Sequence, residues 1–168
     1  IVVAGDWWDM HSIGFYDMGK LLGEGAKVED DIAAGREAMN LLLDPMLRLQ
    51  ERAKASKKRQ YTPRLVFTHG NHEDRIDKHV NNNPHLDAFL SKESLWLDTW
   101  GFEVYEYQHV VEIAGIAFSH FFINPESALK KPFSSSIDHQ ARVLGFSFVQ
   151  GHKQGIYHST PKFYSNGT

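Results

Sequence analysis

Four apolar runs in this chain each end on a residue able to hold a metal or move a proton. "IVVAGD" ends at Asp6, "RLVFTHGNHEDR" reaches Asn71 and His72, "GIAFSH" ends at His120, and "FSFVQGH" ends at His152. A β-prone run followed by glycine reads as a strand leaving a sheet edge. Gly70 permits a tight turn, after which neighbouring side chains can converge on one point. Taken singly, each feature has an ordinary explanation. A histidine at a strand end is commonly a hydrogen-bonded structural residue, and Gly-Asp is commonly a turn. Taken together, the four runs predict more, because parallel strands carry their C-terminal ends to one edge of a sheet. Oxygen and imidazole donors meeting there suit Mn, Fe, Zn, Co or Ni better than Ca or Mg. The chain has no cysteine. That excludes disulfides, thiolate ligands and a thiol nucleophile, and argues against a closed structural zinc site.

The order Gly5-Asp6, Gly70-Asn71-His72-Glu73, His120 and Gly151-His152 resembles the calcineurin-like metallophosphoesterases. The pattern spans nearly the whole chain, and Gly-Asn-His-Glu after an apolar strand is its most specific piece. The stretches "GDWWDMHS", "HGNHEDR" and "SHFF" are most similar in flavour to phage-encoded and bacterial members. The resemblance implies an αββα sandwich and a two-metal site that hydrolyses phosphomonoesters or phosphodiesters. It implies that Asp6 bridges both metals and that Asn71, His120 and His152 complete the second. His72 falls on the family's non-ligand histidine, which would protonate the leaving oxygen. The assignment is chemically coherent, since two cations sharing a carboxylate activate a common water and clamp phosphoryl oxygens, while an imidazolium supplies general-acid help.

Around that set, Glu73 and Asp74 are candidates to orient His72 or a ligand imidazole, with helix-start carboxylates as the alternative. Asp9 has the same supporting role. Arg75 is a candidate phosphate clamp, with an ordinary surface ion pair as the alternative, and His11 is at most a substrate-side group. His69, before the turn, reads as structural.

Two departures from the family pattern bear on the first metal. The family's opening Asp-x-His is absent, so the chain reads as an N-terminally truncated domain lacking its first strand. The usual Gly-His-x-His is here "GHKQGIYH", with Gln154 in place of the second histidine and His158 as a possible substitute. The expectation is therefore one metal held firmly and a second poorly.

Two rival readings stand beside the enzyme. One is a degenerate metallophosphoesterase-like binding or scaffold module without turnover. The other takes "THGNHEDRIDKH" as an HNH-like nuclease motif, which leaves Asp6 and His152 as coincidences. A phosphoester substrate, with nucleotides and nucleic acids among the options, is the expected partner. Trp7 and Trp8 are candidates for base stacking, although packing is the commoner use of such residues.

The elements that must position these groups follow from periodicity. With 168 residues, 42% of them hydrophobic, the chain has material for one core and reads as a single domain over residues 1–168. A net charge of -3 supplies no bulk basic field for nucleic acid. No apolar run approaches membrane-spanning length and no signal peptide is visible. A reducing cytoplasm, that of a bacterial host for a phage-type member, is the expected location.

Residues 32 to about 60 carry a helical period, with Met39, Leu42, Leu43, Met46 and Leu49 predicted on one face. Asp44-Pro45 predicts a kink there, or a second helix. The basic stretch "RAKASKKRQ" reads as a solvated helix end. Short helices are expected in "DRIDKHV", "PHLDAFLSKESLWLDTW" and, after a serine cap, "SSSIDHQARVL". Strands are expected through "FEVYEYQHVVEIAGIAFSHFF", with a hairpin turn at Ala114-Gly115, and in "GIYHSTPKFYS".

Overall fold

A computed structural model describes residues 1–15, 20–21, 24–134 and 136–153. Its described part is mixed α/β, with three helices and two small sheets. The first sheet is parallel, in the order β1 (Val2–Val3), β2 (Val66–Thr68), β3 (Glu103–Tyr105). The second sheet is mixed. Its central strand β5 (Ile116–Ser119) pairs antiparallel with β4 (Val111–Ile113) and parallel with β6 (Phe148–Gln150). Ala114 and Gly115 join β4 to β5 with φ of 53° and 78°, the left-handed pair that a tight two-residue hairpin requires.

The expected donors therefore do not line one sheet edge. β1 and β2 deliver theirs from the first sheet, β5 and β6 from the second, and the C-terminal ends of the two parallel pairs face each other. The meeting is close. A Cβ added to Gly5, Gly70 or Gly151 would fall 2.7, 2.9 or 3.0 Å from Nδ1 of His120, so these backbones pack around that ring with no room for a side chain.

α1 (Val28–Ala55) is one continuous helix running through Pro45, which corrects the expectation of a second helix. Pro45 lacks the N–H that would bond the Leu41 carbonyl. Leu41 is 70% exposed, so water can serve that carbonyl instead. The expected face holds at Met39, Leu43 and the partly buried Met46, and fails at two positions. Ile32, Gly35, Met39 and Leu43 turn inward, steps of three and four residues that hold one stripe. Leu42 lies at the edge of that stripe and Leu49 beyond its end, and both are exposed. The basic residues 57–59 are solvated, as the sequence suggests.

The larger core lies against the first sheet, where Trp8, Met39, Leu43, Phe67, Ile76 and Leu95 are almost fully buried. A smaller cluster of Ala117, Phe122 and Phe133, joined by Val143, Leu144 and Phe148, packs the second sheet against α3 (Ile137–Leu144). Ser136 caps α3 by accepting from the His139 N–H, and Gly145 ends it at φ 70°. α2 (Asp74–Asn82) follows β2 directly. Lys92 ties this helix to the chain after β3, with Nζ 2.6 Å from Asp77 and 2.9 Å from Glu106. Burial works against the charge on Lys92, but these carboxylates outweigh it and raise its pKa. Among the described residues no helix is long and apolar enough to cross a membrane.

Candidate metal centre

Four side chains converge where the two sheets meet. Nε2 of His120 lies 2.9 Å from Oδ1 of Asn71, 3.1 Å from Nδ1 of His152 and 3.3 Å from Oδ2 of Asp6. Oδ1 of Asn71 is also 2.9 Å from Nδ1 of His152. Asp6, His120 and His152 form a possible metal-binding triad among the described residues. Asn71 lies within the same cluster.

The tautomer of His120 follows from its other nitrogen. Nδ1 lies 2.8 Å from the Ala4 carbonyl oxygen, which can only accept, so Nδ1 carries the hydrogen. In the neutral ring Nε2 then presents a bare lone pair toward a carboxylate oxygen and an amide oxygen. Acceptors gathered this closely repel unless a cation or a proton lies among them. Their spacing suits a cation, since ligands about 2.1 Å from a common ion, at right angles to one another, stand roughly 3 Å apart. The set of one carboxylate, one amide oxygen and two imidazoles fits a first-row divalent metal.

Without such an ion the charges settle among themselves. Burial raises the pKa of Asp6, yet hydrogen bonds from His120 and from the His72 N–H, with the charges of both rings, bring it below its ordinary value. His120 is raised despite burial, held by Asp6 and the Ala4 carbonyl. His152 is lowered by burial and by the neighbouring charge of His120. His120 is fully buried, Asp6 half-buried and His152 exposed, so the cluster opens to solvent on the His152 side.

His72 stands beside the cluster. Its backbone N–H donates to Oδ1 of Asp6 at 3.0 Å, and its Nε2 lies 3.8 Å from Oδ2 of Asp6. Asp9 meets Nδ1 of His72 at 3.0 Å. Arg75 directs Nη2 toward Nε2 of His72 at 3.0 Å and anchors Nη1 on the Asp9 and Met10 carbonyls at 2.8 and 3.4 Å. It is thus tethered by backbone oxygens, and its nearest carboxylate contact, Asp9 at 3.9 Å, is long.

The other sequence candidates divide clearly. Asp74 turns away to Lys78 at 2.9 Å and Lys92 at 3.9 Å, which corrects the idea that it orients an imidazole. Glu73 is fully buried and takes its hydrogen bonds from backbone N–H groups, which corrects the same idea for it. His11 pairs with Asp31 at 2.7 Å, while Ser12 donates to the same carboxylate. His69 is buried with Nδ1 unpartnered, and its ring meets Phe67 edge-on. Trp8 is a core residue whose indole donates to the Ile32 carbonyl, and the Trp7 indole donates to that of Gly35. Gln154, His158 and the strand expected around them lie outside the described residues. One contributor had no sequence signal at all. The Ala4 carbonyl, which sets the His120 tautomer, is a backbone atom that any residue would supply.

No family model, no curated protein and no solved structure matches this chain.

Proposed function

We propose that this chain is a metal-dependent phosphoesterase of the calcineurin-like kind, and that its two sheets and flanking helices belong to an αββα sandwich. One observation supports the reading above the others. Asp6, Asn71, His120 and His152 form a compact acceptor cluster, and a carboxylate-paired histidine stands at its edge. A cation site alone has no use for that histidine, whereas cleavage of a phosphoester needs a proton for the leaving oxygen.

Asp6, Asn71, His120 and His152 are the residues that would hold a divalent transition metal, manganese being the first candidate. Such an ion supplies Lewis acidity toward a phosphoryl oxygen and an attacking water. His72 holds its Nδ1 hydrogen against Asp9, which fixes the ring. Nε2, which here accepts from Arg75, would deliver a proton to the departing oxygen once the ring is protonated and Arg75 has turned to the phosphoryl group. Arg75 adds a positive charge beside that nitrogen, where a phosphoryl group would sit. The exposed His152 side is the substrate's approach. A phosphomonoester or phosphodiester, including those of nucleotides, is the substrate class.

The test is metal content per chain after loading with Mn²⁺, with turnover of an aryl phosphodiester and an aryl phosphomonoester. One firmly bound Mn²⁺ and turnover of either ester are expected. His72→Asn should keep the metal and lose about 10²–10⁴ in kcat. Metal binding with no turnover of any ester, and no response to His72→Asn, would favour a binding module instead.

A further inference from the structure

Glu73 is a fully buried carboxylate with no cation within ion-pair reach among the described residues, and every hydrogen bond it accepts comes from backbone. The N–H groups of Trp7 and Trp8 donate to Oε1 at 2.7 and 3.0 Å. Those of Asp6 and Gly70 donate to Oε2 at 2.9 and 2.8 Å. Three of the four donors are consecutive residues after β1, and the fourth opens the turn after β2. Consecutive N–H groups turned to one side by left-handed backbone form a concave anion receptor. Here Gly5 and Asp6 stand at φ 76° and 53°. For Asp6 that conformation is disfavoured, because an L side chain crowds its own backbone.

A Cβ on Gly70 would lie 2.2 Å from Oδ1 of Asp6 and 2.4 Å from its nitrogen. The Asp6 carboxylate therefore rests directly on the Gly70 backbone, and one buried group, Glu73, grips both segments at that point.

We propose that Glu73 is a positioning residue: its carboxylate fills the receptor formed by residues 6–8 and Gly70, and so holds Asp6 in the left-handed turn that aims it at the His120–His152 cluster. This rests on the reading of Asp6 as a metal ligand, but the grip itself is a property of the chain without metal. Acting through backbone, Glu73 sets where Asp6 points without touching the reacting groups.

Two measurements test it. The first is amide hydrogen exchange of the metal-free protein, wild type against Glu73→Gln, a variant of the same size. An amide group turns donors toward donors, so the N–H groups of Asp6, Trp7, Trp8 and Gly70 should exchange at least tenfold faster while β2 and α1 stay protected. Unchanged exchange at those four amides overturns the grip, whether or not the protein binds metal.

The second is Mn²⁺ affinity by titration calorimetry. Glu73→Gln should bind at least tenfold more weakly, and wild-type affinity in that variant overturns the positioning role. Glu73→Ala with added sodium formate supplies the discriminating readout, because a small carboxylate can refill the vacated receptor. Formate should restore Mn²⁺ affinity, and sodium chloride at equal ionic strength should not. A folded Glu73→Ala protein that formate leaves unchanged contradicts the proposal. Wild-type protein that takes up no Mn²⁺ at all counts against the metal site, and the exchange measurement then decides the role of Glu73 by itself.

Discussion

The two halves of the candidate site are built to different standards. Asp6, Asn71 and His72 come from the first sheet, where Trp8, Phe67, Met39, Leu43 and Ile76 lie sealed beneath them and Glu73 holds the loops. His120 and His152 come from the second sheet, whose buried cluster is Ala117, Phe122 and Phe133. There Phe146 and Val149 are nearly half exposed. The first half is held by its own buried side chains and backbone hydrogen bonds. The second is held to it through the ring of His120, the Ala4 carbonyl and the close approach of Gly151. Substrate sites often join a fixed wall to a more adaptable one, since regions with fewer buried apolar contacts open at lower free energy. A cation shared by both halves would act here as a cross-link.

The sharpest way to break this comparison is to empty each core in turn. Phe67 is fully buried between Trp8, His69 and Phe102, so Phe67→Ala should cost about 4 kcal/mol. Phe148 packs on the smaller cluster and is only partly buried, so Phe148→Ala should cost about half as much. Equal losses in urea unfolding would mean that the halves are equally supported.

Acid should strike the first half. Burial, with the nearby Lys92 cation, lowers the pKa of His69 to about 4, against about 6.5 in an unfolded chain. The unfolded state then binds the proton first. Stability contributed by neutral His69 is complete above about pH 6.5 and is lost as the pH falls toward 4, by about 3 kcal/mol at the limit. Urea midpoints at pH 7 and pH 4.5 should show a smaller drop in His69→Phe than in wild type. An identical drop would assign the acid sensitivity elsewhere.

Metal should act on the other half. Mn²⁺ at a hundredfold its Kd stabilises a site absent from the unfolded chain by about 2.7 kcal/mol. Amide exchange should slow more in β5 and β6 than in β1 and β2, and the reverse ranking would contradict the comparison. The smallest effect is expected at the hairpin. Ala114 holds φ 53°, where asparagine is better tolerated. Ala114→Asn should therefore stabilise by about 1 kcal/mol, measured as a rise in Tm.

The sequence by itself determined the chemistry on offer. Apolar runs ending in Asp6, Asn71-His72, His120 and His152 are visible as strand ends with donors attached, because β-prone patterning and glycine turns are local properties. The left-handed hairpin at Ala114-Gly115 and the serine-capped α3 were legible for the same reason. Tertiary structure alone decided which sheet carries each donor, which stripe of α1 faces inward, and that the helix runs on through Pro45. It also decided the fate of neighbours that look alike in sequence. Glu73 and Asp74 are adjacent carboxylates, yet one is buried on four backbone N–H groups and the other pairs with Lys78 and Lys92. The Asp74–Lys78 pair is an i,i+4 spacing visible in the sequence. The N–H groups of residues 6–8 that hold Glu73, however, are backbone atoms in a segment far along the chain, and such partners leave no trace in residue spacing.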